Sequence, residues 1–156
     1  MQVIYHNRSR LDAEQEKACN AQWVSKEDLL RQSDFLVALV PYSAQTHHAI
    51  GAAELAQMKP SAHLINIARG GVVDDQALIE ALRAKRIAGA GLDVFENEPA
   101  LNPGFLGLDN VTLTPHIGSS TRQTRLAMAM LAADNLVAAL SGQCPPSLIN
   151  PEAFKP

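Results

Sequence analysis

The feature that most constrains the fold is a rhythm of short apolar, β-prone runs, each followed at once by a polar motif. Three such runs cover residues 63–68, 90–94 and 111–114, and the helical pattern of residues 75–84 separates the first two. A strand, a helix and a second strand in this order form a βαβ unit with parallel strands. The sequence therefore predicts an α/β fold built on a doubly wound parallel sheet.

The polar motifs are IARGG at residues 67–71, DVFENEP at residues 93–99 and PHIGS at residues 115–119. Ligands of open α/β sheets bind beyond the carboxyl ends of the strands, so Arg69, Glu98 and His116 are expected to converge there. Arginine binds a carboxylate through two parallel hydrogen bonds, and histidine exchanges a proton near neutral pH. A nearby glutamate raises the pKa of a histidine. This combination suits the reduction of a 2-keto acid.

Each of these residues also has a simpler interpretation. Arg69 alone fits a surface arginine at a strand end, although the two glycines that follow it let backbone approach a ligand. His116 follows a proline and fits an ordinary loop histidine. Glu96 competes with Glu98, and the residue pattern by itself does not choose between them.

Composition limits the possible partners and location. The formal net charge of −3 argues against a general nucleic-acid surface. The chain lacks a run of about 18 apolar residues for a membrane span, and its start does not resemble a secretory signal, so a cytoplasmic location is expected. Cys19 and Cys144 are expected to be reduced thiols. His47 and His48 have no third ligand at metal-binding spacing, so no metal site is predicted.

Periodicity and capping signals predict the other elements. Strands are expected at residues 2–6, 22–24 and 35–40, the last apolar throughout and therefore covered on both faces. Helices are expected at residues 25–32, 52–58, 74–84 and 121–140. A capping box of Ser25 and Asp28 begins the first, and Asp74 caps the third. Gly142 ends the last. Residues 11–19 fit either a short helix or a loop.

Three segments, residues 66–74, 90–99 and 114–119, together resemble the D-isomer-specific 2-hydroxyacid dehydrogenases. Within that family the chain is most similar to the bacterial glyoxylate/hydroxypyruvate reductases, also called 2-ketogluconate reductases. The resemblance covers nearly the whole chain but only about half of a typical member. It implies a Rossmann-type NAD(P)-binding domain and an enzyme that is usually a homodimer.

The same resemblance implies that parts of the family pattern are missing. The opening strand resembles the second Rossmann strand, and no Gly-rich phosphate turn precedes it. Gly89 and Gly91 form the one G-x-G, which fits close packing of a buried strand instead. We expect a fragment: residues 1–140 as a partial dinucleotide-binding domain that lacks the first strand, and residues 141–156 as a tail returning to an absent substrate domain.

If so, a gap is expected between the strands at residues 2–6 and 35–40, since unpaired buried backbone groups are costly. Another polypeptide with the first half of the protein, a second copy, or direct pairing of the two strands would close it. The helix at residues 121–140 is expected to expose an apolar stripe toward the absent domain. The isolated chain is then expected to bind cofactor poorly.

The resemblance implies a role for each candidate residue. Arg69 would bind the substrate carboxylate and polarise the keto oxygen, His116 would protonate that oxygen, and Glu98 would orient the imidazole. Asp93 would bind the nicotinamide carboxamide. The remaining cofactor contacts are expected at Pro41, Ile67, Ala68 and Gly118.

The cofactor can be argued from the stretch after the first strand. NAD-specific sites place an acid there to bind both ribose hydroxyls. Here the stretch has no acid before Asp12 and offers two guanidiniums and a hydroxyl, which suit a 2′-phosphate. NADP(H) is therefore favoured, with NAD as the other possibility and a solvated basic turn as the simpler interpretation. The residues concerned are Asn7, Arg8, Ser9 and Arg10.

Two other functions stay open. A dinucleotide-sensing corepressor is built on the same scaffold and carries the same triad, so motifs do not separate it from an enzyme. The chain on its own is also compatible with a remnant that has lost activity. For the enzyme, the expected ligand besides the cofactor is a small 2-keto acid.

Overall fold

A computed structural model describes residues 1–154. They form two compact units, one of Met1–Pro115 and one that begins at His116, and each is described by itself. The expected end of the dinucleotide-binding part, at residue 140, lies inside the second unit. The expected boundary was defined by cofactor binding, which the division into compact units does not test. It therefore stays a prediction.

The first unit alternates strands with helices, and every strand pairing in it is parallel. The predicted parallel α/β architecture is therefore confirmed. The strands are β1 (Val3–Tyr5), β2 (Ala21–Trp23), β3 (Phe35–Ala38), β4 (His63–Asn66), β5 (Gly89–Leu92) and β6 (Val111–Leu113). The helices are α1 (Ala13–Cys19), α2 (Lys26–Gln32), α3 (Ala52–Leu55) and α4 (Asp75–Arg83), with a 3₁₀ turn at Pro103–Phe105.

The strands belong to two sheets. One contains β1 and β2, and the other has the order β3-β4-β5-β6. In the larger sheet Phe35 pairs with His63, and His63 pairs with Gly89, so the strands are aligned with little stagger. Among residues 1–154, β1 does not pair with β3. Direct pairing of these two strands, one of the three expected ways to close the gap, is therefore wrong.

Strand β3 differs from the expectation in length and burial. It ends at Ala38, two residues early, and only one of its faces is covered. Leu36 and Ala38 are buried, whereas Phe35, Val37 and Leu39 are exposed. An apolar run does not distinguish a strand covered on both faces from an edge strand, and β3 is the edge of the larger sheet.

Helix α4 covers the sheet with an apolar face. Asp74 caps it, because its side-chain oxygen accepts the Ala77 amide at 3.0 Å. Leu78, Ile79 and Leu82 then fall on one side at helical spacing and are almost fully buried. They join Leu64, Leu55 and Phe105 in the core, which holds the carboxyl ends of the strands in place.

The two short helices at the start of the chain are set by their caps. The Ser25 hydroxyl accepts the Asp28 amide and donates to the Asp28 carboxylate, so half of the predicted capping box of α2 is formed. Residues 11–19 contain a helix and not only a loop. There Asp12 and Gln15 form a complete capping box, with each side chain bound to the backbone amide of the other residue.

The second unit contains one long helix, α5 (Arg122–Leu140). Thr121 caps its start, and Gly142, at φ 69°, follows its end as expected. The Gln143 and Gly142 amides donate to the carbonyls of Ala138 and Ala139, which is a Schellman motif. The expected apolar stripe, which includes Leu126, Met130, Leu136, Val137 and Leu140, is exposed, but Met128 and Leu131 outside it are exposed as well. No helix within residues 1–154 is long and apolar enough to cross a membrane.

The core argument predicts a contrast between two strand residues. Leu64 is completely buried, whereas Val37 on the neighbouring strand is 45% exposed. Leu64→Ala is expected to lower the free energy of unfolding by about 2–5 kcal/mol, because it removes apolar contacts and leaves a cavity. Val37→Ala is expected to change it by less than about 1 kcal/mol. Urea denaturation of both variants checks this, and equal losses would contradict the assigned core.

Candidate active site

The sequence-predicted residues of the first unit all follow the carboxyl end of a strand. The basic turn, residues 7–10, follows β1, and Pro41 follows β3. Ile67, Ala68 and Arg69 follow β4, and Asp93 and Glu98 follow β5. Because β4 and β5 are parallel neighbours, their following segments leave the same edge of the larger sheet.

A buried asparagine shapes the turn that carries Arg69. Asn66 is the last residue of β4 and only 1% exposed. Its side-chain oxygen accepts the Ala68 amide at 3.2 Å, and its side-chain nitrogen donates to the Arg69 carbonyl at 3.3 Å. Arg69 itself is exposed, and its guanidinium donates to the Ala68 carbonyl at 2.7 Å. The buried Asn66 side chain therefore holds the backbone of the turn, while the Arg69 side chain stays accessible to solvent.

Gly70 places this turn against the acidic loop, residues 93–99. A Cβ added at Gly70 would lie 1.8 Å from the carbonyl oxygen of Phe95 and 2.9 Å from the Glu96 nitrogen. No L side chain fits at that distance, so only glycine permits the contact. The segments that carry Arg69 and Glu98 are therefore in direct backbone contact.

Within the acidic loop, Glu98 is exposed and its carboxylate accepts the Phe95 amide at 2.8 Å. Asp93 connects the loop to both neighbouring strands. Its amide donates to the Asn66 carbonyl, and its carboxylate accepts the Thr114 hydroxyl at 2.5 Å. The base of the loop is thus anchored while Glu98 remains at the surface.

The rival acid, Glu96, has a different environment. Its half-buried carboxylate forms a hydrogen bond with His48 Nε2 at 2.5 Å, and the Asp74 carboxylate lies 3.6 Å from His48 Nδ1. His48 has φ 50°, which is uncommon for a residue with a side chain, and its amide donates to the Gly71 carbonyl. Glu96 is therefore engaged in holding the loop. The choice of Glu98 over Glu96 as the acid that meets a ligand stays a prediction.

The network around Glu96 includes a buried carboxyl group. Asp75 is 3% exposed and accepts the Glu96 amide at 3.1 Å. Burial, helped by the neighbouring Glu96 and Asp74 carboxylates, raises the pKa of Asp75 to about 6. In the sequence His48 was considered only as a metal ligand, and this network was not predicted. Its hydrogen bonds join residues that are 21 and 48 positions apart, so no local pattern indicates it.

The basic turn contains one cation that is already paired. Arg10 donates through Nε and one terminal nitrogen to the two carboxylate oxygens of Glu16, both at 2.8 Å. Arg8 and Ser9 are exposed, as is Asn7. The sequence showed no acid before Asp12, but α1 returns the Glu16 carboxylate to the turn. No spacing rule indicates a contact six residues apart at a strand-to-helix junction.

His116 and Gly118 belong to the second unit and are both exposed. His116 has φ 52°, in the left-handed region where histidine is found more often than most residues with side chains. Its role in a triad with Arg69 and Glu98 stays a prediction. Among residues 1–154, no group of three His, Cys, Asp or Glu side chains is arranged to hold a metal ion.

Residues 1–118 match the family model of the D-isomer specific 2-hydroxyacid dehydrogenase NAD-binding domain. The chain belongs to this family. It is 51% identical, over 99% of its own length, to a glyoxylate reductase of Pyrococcus horikoshii, of which it covers 46%. It is 50% identical, again over 99% of its length, to glyoxylate/hydroxypyruvate reductase B of Enterobacter agglomerans, of which it covers 48%.

A solved structure supports the same assignment. The NADPH-dependent glyoxylate/hydroxypyruvate reductase of Sinorhizobium meliloti, in complex with NADP and malonate, superposes with a TM-score of 0.81 at 38% identity. The match covers 90% of this chain and 43% of that one. The chain thus spans about half the length of the curated relatives it matches. The predicted family and the Rossmann-type NAD-binding fold are confirmed.

The contact at Gly70 predicts a sharp difference between two glycines. Gly70→Ala is expected to displace the acidic loop, because a methyl group would overlap the Phe95 carbonyl. Gly91→Ala is the matched control, since a Cβ there meets nothing within 4 Å. Amide chemical shifts of residues 93–99 are expected to change widely in the first variant only. Unchanged amide shifts in Gly70→Ala would show that the close contact between Gly70 and the acidic loop does not exist.

Asp75 predicts a pH dependence of stability. Its folded pKa of about 6 lies above the ordinary aspartate value of 3.8, so its neutral form favours folding, and this contribution is lost as pH rises through 6. Asp75→Asn is therefore expected to match the wild type near pH 4. It should be about 1–3 kcal/mol more stable at pH 7.5. The exposed Asp109 gives the control Asp109→Asn. Urea unfolding between pH 4 and pH 7.5 measures the difference in free energy of unfolding between Asp75→Asn and the wild type. A difference that does not change with pH would refute the raised pKa of Asp75.

Proposed function

We propose that this chain supplies the dinucleotide-binding and catalytic part of a reductase that converts a small 2-keto acid to its 2-hydroxy acid with NADPH. The observation that carries the proposal is the Gly70 contact, which joins the Arg69 turn to the Glu98 loop at the carboxyl edge of the sheet. The relatives support it, because those described above are named as glyoxylate or glyoxylate/hydroxypyruvate reductases. Glyoxylate, hydroxypyruvate and 2-ketogluconate are the proposed substrates.

The residues present fit a bound dinucleotide. The basic turn offers the exposed Arg8 and Ser9 to a 2′-phosphate, and the Asp93 carboxylate at the end of β5 suits a carboxamide. Pro41, Ile67, Ala68 and Gly118 would line the cofactor through their backbone. When bound, NADPH supplies the hydride. The S. meliloti relative, which is NADPH-dependent and holds NADP, supports this choice over NAD.

The chain's own residues then bind and protonate the substrate. The Arg69 guanidinium, held by the Asn66-shaped turn, binds the substrate carboxylate and stabilises negative charge on the keto oxygen. Protonated His116 gives its proton to that oxygen. Glu98 orients the imidazole. The hydrogen bond between Thr114 and Asp93 anchors the base of the acidic loop that carries Glu98.

A chimera tests the activity. This chain would replace the matching 46% of the P. horikoshii glyoxylate reductase, and NADPH oxidation would be followed at 340 nm with each proposed keto acid. We expect turnover with glyoxylate or hydroxypyruvate and a lower rate with NADH. The chain alone is expected to be inactive, because it spans only about half the length of the reductases that it matches.

Arg69→Ala in the chimera is expected to lower kcat/KM by roughly 100-fold or more, the scale for losing a preorganised charged donor. Arg83→Ala, at an exposed arginine in the last turn of α4, is the matched control and should change it less than twofold. Near-normal activity of Arg69→Ala would remove this residue from the mechanism. NADPH binding without turnover of any keto acid would favour the dinucleotide-sensing alternative.

A further inference from the structure

A cluster of three side chains, here called the Glu16 cluster, includes one residue of the basic turn. Its members are Tyr5, Arg10 and Glu16. The Glu16 carboxylate accepts two hydrogen bonds from Arg10 and one from the Tyr5 hydroxyl, all at 2.8 Å. This parallel contact is the geometry in which arginine binds a carboxylate most strongly.

The cluster also fixes the two ends of the turn. The Tyr5 hydroxyl oxygen accepts the Leu11 amide at 2.8 Å while it donates to Glu16. Tyr5 is the last residue of β1 and Leu11 lies just beyond the turn, so the cluster closes the loop formed by residues 6–10. Asn7, Arg8 and Ser9 are therefore presented from a braced backbone.

The charges of the cluster are balanced. The Arg10 and Tyr5 hydrogen bonds hold the pKa of Glu16 at about 2, so its carboxylate is ionised at physiological pH. The Glu16 side chain is 14% exposed and the Arg10 side chain 62% exposed. Arg10 thus neutralises a permanent negative charge at the place where a 2′-phosphate is proposed to bind. Among residues 1–154, Arg8 forms no ion pair.

An acid near this turn has a known consequence for cofactor choice. Carboxylates after this strand bind both ribose hydroxyls in NAD-specific sites and repel a 2′-phosphate. Glu16 is such an acid, but its oxygens are occupied by Arg10 and Tyr5. We propose that Arg10 sets the 2′-phosphate preference indirectly, by neutralising and holding Glu16, and that Arg8 is the guanidinium that touches the phosphate. This inference rests on the proposed NADP(H) function.

Binding of two probes to the ¹⁵N-labelled chain tests it. The probes are 2′,5′-ADP and 5′-AMP, followed through the amide shifts of residues 7–11, and the readout is the ratio of their dissociation constants. The wild type is expected to prefer 2′,5′-ADP by about tenfold or more, the scale of a charge-assisted contact. Arg31→Ala, at an exposed arginine of α2, is the control and should leave this ratio unchanged.

The decisive comparison is between single and double variants. Arg10→Ala should abolish the preference, because Glu16 is left as an uncompensated negative charge. Adding Glu16→Gln should restore the preference to within about threefold of the wild type, since the repulsive charge is gone. Arg8→Ala should lose the preference with or without Glu16→Gln. Glu16→Gln alone should keep or increase it.

Other outcomes overturn the inference. If the Arg10→Ala/Glu16→Gln double variant binds 2′,5′-ADP no better than Arg10→Ala, Arg10 touches the phosphate itself. If Arg10→Ala weakens both probes equally, its role is only structural. Should Arg10→Ala fail to fold, a loss of preference in Glu16→Gln alone would overturn the inference. Absence of preference in the wild type, or of any shift at residues 7–11, would instead reject the proposed NADP(H) site.

Discussion

The packing of one glycine against one peptide group decides where the candidate site lies. At Gly70 the backbone approaches the Phe95 carbonyl so closely that no side chain fits between them. The Arg69 turn and the acidic loop therefore meet as two backbones, and their charged side chains leave from a common base. The buried Asn66 amide completes this base, because it satisfies the turn's own peptide groups where no strand partner is available.

Holding the acidic loop in this position costs stability elsewhere. Asp75 is buried so that its carboxylate can accept the Glu96 amide, and burial opposes its ionisation. His48, at φ 50°, and Asn97, at φ 58°, lie in the left-handed backbone region, which is uncommon for residues with side chains although His and Asn enter it more often than most. Such strain persists only where surrounding contacts enforce it, and it is commonly concentrated near functional sites. The pattern is therefore consistent with a loop selected for its geometry more than for its stability.

The sequence predicted the local elements well and the contacts between distant segments poorly. Helices α4 and α5 follow from capping residues and from a 3.6-residue period, and β4 and β5 follow from apolar runs that end at a polar motif. The prediction that both faces of β3 are buried was wrong. An apolar run shows the composition of a strand but does not indicate which elements pack against it. The family motifs identified the fold and the candidate residues beyond what periodicity alone supported.

The charges at the basic turn show why sequence order alone misleads. Counted along the chain, residues 7–11 contain two cations and no acid, which suggests an uncompensated phosphate site. In the folded chain, helix α1 places Glu16 beside the turn, where it pairs with Arg10. One of the two positive charges is therefore cancelled. Asp12 lies nearer in sequence, but its carboxylate caps α1 by accepting the Gln15 amide. Electrostatic specificity at a strand-to-helix junction therefore depends on which acids the following helix returns to it and which cations already neutralise them.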